Sequence, residues 1–256
     1  MSVLGAALRG ELTKARTVRS TWWSLGLAVV LSVGLAALIS LSLRDNPVRG
    51  SGEWDPVMMG YLGLTMGLVV LVVFGVMVVS AEFTSGTIRA SLAAVPRRGV
   101  LFAAKALASA AVAVVVAVPT AFGAFFAAQT VFGERGVSLG DDQALRAVLG
   151  AAAYLVLMCV FATGVAMMLR STALCLGILI PILFLNSQGL ANMPAIRAVT
   201  QYLPDQAGMV LMQTVHRGRG VLAWTDYGPA GAFAILLGWT LLALAGGYVV
   251  LRRYDA

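Results

Sequence analysis

Six long stretches without a single charged residue constrain this chain more than any other feature. They are Trp22–Leu43, Pro56–Ala81, Ala106–Gly133, Ala147–Leu169, Ser171–Ile196 and Tyr227–Leu251, and none contains Asp, Glu, Lys, Arg or His. A helix needs about 20 mostly apolar residues to cross the hydrocarbon core of a bilayer, and each stretch meets that length. Charged residues make up 11% of the 256, hydrophobic ones 60%. No single soluble core of that size hides so much apolar surface, so a soluble globular fold is excluded. The pattern predicts an all-α polytopic membrane protein, one domain over 1–256, with six transmembrane helices. Their expected bounds are about 22–43, 57–81, 101–128, 147–169, 172–190 and 229–251. The fifth is interrupted by Pro181, Asn186, Ser187 and Gln188, and its helix is expected to end near Leu190.

The first stretch is expected to be retained rather than cleaved. It has 22 residues, follows Arg9, Lys14, Arg16 and Arg19, and runs into Arg44-Asp45-Asn46-Pro47. A signal peptide has a shorter apolar core and a small-residue cleavage site. Cys159 and Cys175 both lie in apolar stretches. On their helices they would sit about 10 Å apart in depth, too far for a disulfide, so both read as small buried hydrophobes.

The net charge of +7 divides unevenly between the two sides of such a bundle. One side carries the termini, the 82–105 connector and Arg170, with eleven basic and three acidic residues. The other carries seven basic and eight acidic ones. Excess Lys and Arg mark the cytoplasmic face. Both termini and the 82–105 connector are therefore expected in the cytoplasm, on a cytoplasmic (inner) membrane.

Residues 1–21 read as an interfacial helix. Leu4, Leu8, Leu12, Ala15, Val18 and Trp22 share a face at 100° per residue, with Arg9, Thr13, Arg16 and Ser20 opposite. A basic amphipathic helix ending in Trp22-Trp23 suits the headgroup layer. Glu11 projects near the apolar face. Two partners fit it: Lys14 at i+3, or an interhelical cation such as Arg89, because a carboxylate in apolar surroundings needs a fixed counter-charge.

The connector Ser80–Arg98 is the most informative segment. Ser85 is placed to cap a short helix, Ile88, Leu92 and Val95 share one face, and Pro96 ends it. The apolar strip either rests on the protein's own spans or docks in a groove on a cytosolic partner.

Glu82, then Gly86-Thr87-Ile88-Arg89, Leu92, Pro96-Arg97-Arg98 and Lys105 resemble the ABC-2 type exporter permeases. The arm, the six spans and a polar stretch holding Tyr202-Leu203-Pro204 extend the likeness along the chain. One departure is Arg89, where the family often has an acidic residue. The resemblance implies that 82–98 is a cytoplasmic coupling helix, with Glu82, Gly86, Thr87, Ile88, Arg89, Leu92, Val95 and Pro96 contacting a separate ATP-binding subunit. It implies pairing with a second copy or a paralogous permease, and ATP and Mg2+ held by the partner subunit. It also implies a path bordered by spans two and five, with Met66, Phe74, Met77, Asn186 and Gln188 as candidate path residues.

Several chemistries find no residues here. No Gly-x-x-x-x-Gly-Lys-Ser/Thr phosphate loop, Gly-x-Ser-x-Gly elbow, His-Glu-x-x-His or metal-spaced Cys/His set occurs. His216, the one histidine, lies in a polar connector. The chain is therefore expected to perform no chemistry itself, with no cofactor and no metal site. Charge-free spans also lack the intramembrane carboxylate or histidine that ion-coupled carriers use. A membrane anchor or sensor, and a gradient-driven carrier, remain the competing readings. Gly63 and Gly67 form a Gly-x-x-x-Gly pair that suits close helix packing within the chain or dimerisation. Asn186, Ser187 and Gln188 either bond a neighbouring helix or line the outer path. Residues 191–228 are expected as an extracytoplasmic segment of short helices capping the bundle.

Overall fold

A computed structural model describes residues 2–44, 55–184, 196–214 and 225–253. Secondary structure over these residues is helical throughout. The helices are α1 (Val3–Thr17), α2 (Arg19–Ser42), α3 (Pro56–Tyr61), α4 (Thr65–Thr84), α5 (Ile88–Ala94), α6 (Arg98–Phe132), α7 (Asp142–Leu169), α8 (Thr172–Phe184), α9 (Arg197–Thr200), α10 (Pro204–Met212) and α11 (Pro229–Arg252). A 3-10 turn, Leu62–Leu64, joins α3 to α4. Among the described residues, five helices are long and apolar enough to cross a membrane: α2, α3–α4 taken together, α6, α7 and α11.

Among the described residues, five of the six expected spans are thus present at full length. The expected fifth span is described over 13 residues, α8, about 20 Å at 1.5 Å per residue; the rest of it lies outside the described residues. Asn186 and Gln188 lie outside the described residues.

α7 forms the middle of the bundle, with α4, α6 and α11 packed around it. Small residues set the spacing. A Cβ on Gly75 would meet the Cys159 carbonyl oxygen at 2.3 Å, so α4 and α7 touch backbone to backbone. A Cβ on Gly63 would meet the Ala36 nitrogen at 2.4 Å, and one on Gly67 the Ser32 hydroxyl at 2.8 Å. The Gly-x-x-x-Gly pair therefore packs inside the chain, against α2. Its partner face repeats every fourth residue: Ala28, Ser32, Ala36 and Ser40 are all buried. Cys159 and Cys175 are buried and unbridged.

Two boundaries differ from expectation. α1 ends at Thr17 and α2 begins at Arg19, so the arm breaks at Val18 and both tryptophans belong to α2. Trp22 ties the joint, its indole N–H donating to the Ala15 carbonyl at 3.1 Å. α6 runs from Arg98 for 35 residues, about 52 Å. It absorbs much of the expected connector and brings Lys105 inside a helix.

The bundle has two distinct polar ends. At one, α1, the end of α4, α5, the start of α6 and the end of α11 meet. Arg98 donates there to the carbonyls of Leu251 and Arg252 at 3.2 and 2.8 Å, and Arg170 to Val250 at 3.1 Å. At the other, Asp55 Oδ1 caps α3 by accepting from Val57 and Met58. It also binds Thr214, whose hydroxyl lies 2.8 Å away. Gln201 joins Asp226 at 3.0 Å, and Trp239 donates to Tyr202 at 2.7 Å. Pro204 opens α10 as its first residue, where its missing N–H costs nothing, rather than interrupting a longer helix.

Candidate coupling and substrate site

α4 delivers Glu82 on its last turn and then reverses direction. Gly86 makes the reversal at φ +73°, a left-handed conformation that a Cβ disfavours. Ser85 does not cap α5 as its position suggested. Its hydroxyl donates back to Ala81 at 2.8 Å and pairs with the Thr87 hydroxyl at 2.8 Å, so it closes α4 instead. Thr87 stands at the start of α5 without a side-chain cap bond.

The apolar strip of α5 turns inward. Ile88 is only 2% exposed, and Leu92 and Val95 are half-buried. This is the arrangement in which the strip rests on the protein's own helices. Gly86, Thr87, Arg89, Ala90, Ala93, Ala94, Pro96 and Arg97 are exposed. The segment thus presents small and basic groups outward.

Four charges lock it in place. The Lys105 ammonium bonds Glu82 Oε1 at 2.7 Å and Glu11 Oε2 at 3.0 Å. The Lys14 ammonium bonds Glu11 Oε1 and Glu82 Oε1, both at 2.8 Å, and the Ser91 hydroxyl at 3.2 Å. Ser91 in turn donates to Glu82 Oε2 at 3.1 Å. Lys105 is completely buried and Glu11 nearly so, whereas Lys14 is 52% exposed. Two ammoniums against two carboxylates leave the cluster neutral, which is what allows it to be buried.

Both sequence readings of Glu11 meet here. The i+3 pair with Lys14 exists, and an interhelical cation exists as well, but it is Lys105 rather than Arg89. The charge-free stretches stop one residue short of two of these groups. Helix α6 nevertheless includes Lys105 and α4 includes Glu82, so these charges sit toward helix ends while the middles of both helices stay apolar. The signal for Lys105 was present in the sequence as a lysine on the threshold of a span.

Beneath the cluster lies a cavity of about 290 Å³ between α1, the start of α2, α4 and α6. Phe74 and Met77 line it, together with Glu11, Lys14 and Glu82. Two of the expected path residues are therefore brought to the same cavity as Glu11, Lys14 and Glu82. Met66 is exposed near the far end of α4. The remaining two candidates fall outside the described residues.

A family model described as "ABC-2 family transporter protein" matches residues 7–192. The chain belongs to the ABC-2 transporter family. The matched region contains all four clustered charges, the 82–98 segment and α2 through α8; α9 to α11, with Tyr202-Leu203-Pro204, lie beyond it. No curated protein matches the chain. ABC-2 permeases are transmembrane components and not themselves ATPases, and they generally work with a separate ATP-binding subunit. This chain is accordingly a multi-pass membrane permease of that family.

Proposed function

We propose that the chain is the transmembrane subunit of an ATP-driven exporter, moving an amphipathic or hydrophobic substrate across the cytoplasmic membrane. Energy comes from a separate ATP-binding subunit, which holds ATP and Mg2+ and docks on the outward face of residues 82–98. The observation that carries this reading is the junction itself. The segment Ser85–Arg97, exposed on its outer face, is held at Glu82 by the buried Lys105 of α6, with Lys14 of α1 as a second, more exposed link. A push on that segment is transmitted to two other helices instead of being lost in a loop.

The docking surface in this proposal is Arg89, Ala93, Pro96 and Arg97 rather than Ile88, which is already occupied by the chain's own core. Small side chains permit close approach, and the arginines suit acidic groups on a partner.

The chain crosses six times in this proposal, with both termini and the 82–98 segment cytoplasmic. Support comes from α8. Its first residue, Thr172, bonds Ser80 at the charged end at 2.8 Å. Leu183, twelve residues into the described part of α8, shares a small cavity with Tyr61 and Asp205 toward the other end. Two permeases, identical or paralogous, with two ATP-binding subunits would complete the transporter, since alternating access requires facing halves.

Transport into inside-out vesicles separates this from a gradient-driven carrier. Accumulation of an amphiphilic dye is expected to require ATP and an active ATP-binding subunit and to persist with an uncoupler. Accumulation that survives without that subunit and collapses with the uncoupler contradicts it.

A further inference from the structure

The cavity beneath the charge cluster takes part of its wall from the Lys14 side chain. Its volume of about 290 Å³ holds about ten water-sized groups at about 30 Å³ each. Phe74, Met77, Val78 and Ala108 make an apolar interior, while Glu11, Lys14 and Glu82 stand at its rim. Two more cavities share residues of that rim. One of about 480 Å³ is bordered by Lys14, Glu82 and Ser91, the other, of about 310 Å³, by Glu11, Lys14 and Ser91. Lys14 borders all three, so its side chain stands where they meet.

The two lysines that neutralise the carboxylates are not equivalent. Lys105 is wholly buried, and its removal would strand two desolvated carboxylates. Lys14 is 52% exposed. An ion pair with an exposed member is screened more than a fully buried one, and a flexible four-carbon stem gives the ammonium room to swing out. Once it does, the rim holds two carboxylates against one ammonium, beside an apolar chamber. A cation carried on an apolar chain restores neutrality. An anion in the same place meets two carboxylates.

We propose that this chamber binds amphiphiles with a primary-amine head, the amine replacing the Lys14 ammonium between Glu11 and Glu82 and the chain lying along Phe74 and Met77. The inference rests on reading the chain as a permease and gives that permease a substrate class. A primary amine reproduces the charged hydrogen bonds that Lys14 makes. The chamber sits on the segment proposed to receive the ATP-binding subunit, so occupancy and docking share Glu82.

The full chain in phosphatidylcholine nanodiscs, titrated calorimetrically with octylamine and with octanoate, tests this. Octylamine is expected to bind saturably and octanoate not. Lys14→Ala is expected to tighten octylamine at least tenfold by removing the competitor, with Lys14→Gln as a second variant acting in the same direction. Met77→Trp, which fills the chamber, is expected to abolish binding while the thermal midpoint is retained. Equal, non-saturating uptake of both probes, or octylamine affinity unchanged in both Lys14 variants, overturns the proposal. In discs containing phosphatidylethanolamine, competition with octylamine supports the site and assigns it to a lipid amine; absence of competition supports a transported amine. The ATP-binding subunit is absent throughout. Failure here therefore leaves the exporter reading standing, and failure of ATP-driven transport leaves the binding site standing.

Discussion

Lys105 carries the greatest consequence of any single side chain. It is fully buried and holds two carboxylates from two other helices. Lys105→Met would leave those carboxylates facing only Lys14, and breaking a buried pair from one side costs about 3–5 kcal/mol. Lys14→Met removes a half-exposed partner, a loss of about 0–1 kcal/mol. Thermal unfolding in detergent is expected to separate them clearly, and equal midpoints would contradict the burial argument. The Lys14 variant also has a pH signature. Burial draws its ammonium down, but the bonds and charges of Glu11 and Glu82 outweigh this and raise it above 10.5. A raised folded value means the stabilisation is complete below pH 10.5 and lost as pH climbs through the higher folded value. The alkaline limb of the stability profile is expected to flatten in Lys14→Met. The sequence made Glu11 visible, because it broke an amphipathic face. Its second partner was invisible, since Lys105 is 94 positions away in sequence and only packing brings α1 against α6.

Elements were legible in proportion to how much of their signal is local. α2, α4, α6, α7 and α11 follow from apolar length, a property of each stretch alone. The short α5 was legible as a helix with a strip: Ile88 is buried and Leu92 half-buried on it, with Val95 half-buried just past its end. Which surface the strip faces was not, because periodicity names a face and not its neighbour. The burial of Ile88 assigns it a structural role. Ile88→Asp forfeits about 2 kcal/mol of burial and places a carboxylate in an apolar site. It is expected to lower the thermal midpoint sharply, whereas Ala93→Asp on the exposed face stays within about 0.5 kcal/mol of wild type. An Ile88→Asp protein as stable as wild type would show that the strip is free. Ser85 shows a different limit. The same hydroxyl suits the start of α5 or the close of α4, and in the structure it bonds back to Ala81.

At the scale of the molecule, charge distribution and packing point the same way. The sequence sorts Lys and Arg to one side of the spans, and the structure gathers Arg98, Lys105, Arg170 and Arg252 at one end of the bundle. Apolar packing through Gly63 and Gly75 makes α2, α4 and α7 a closely spaced frame, and the charge cluster joins that frame to the 82–98 segment. An ATP-binding subunit pressing there would move α1, α4 and α6 together. Co-purification of that subunit with the Arg89→Glu, Ala93→Trp double variant tests this most directly. The account predicts at least a tenfold loss of the subunit with the permease's thermal midpoint unchanged. Full association of the variant would contradict it.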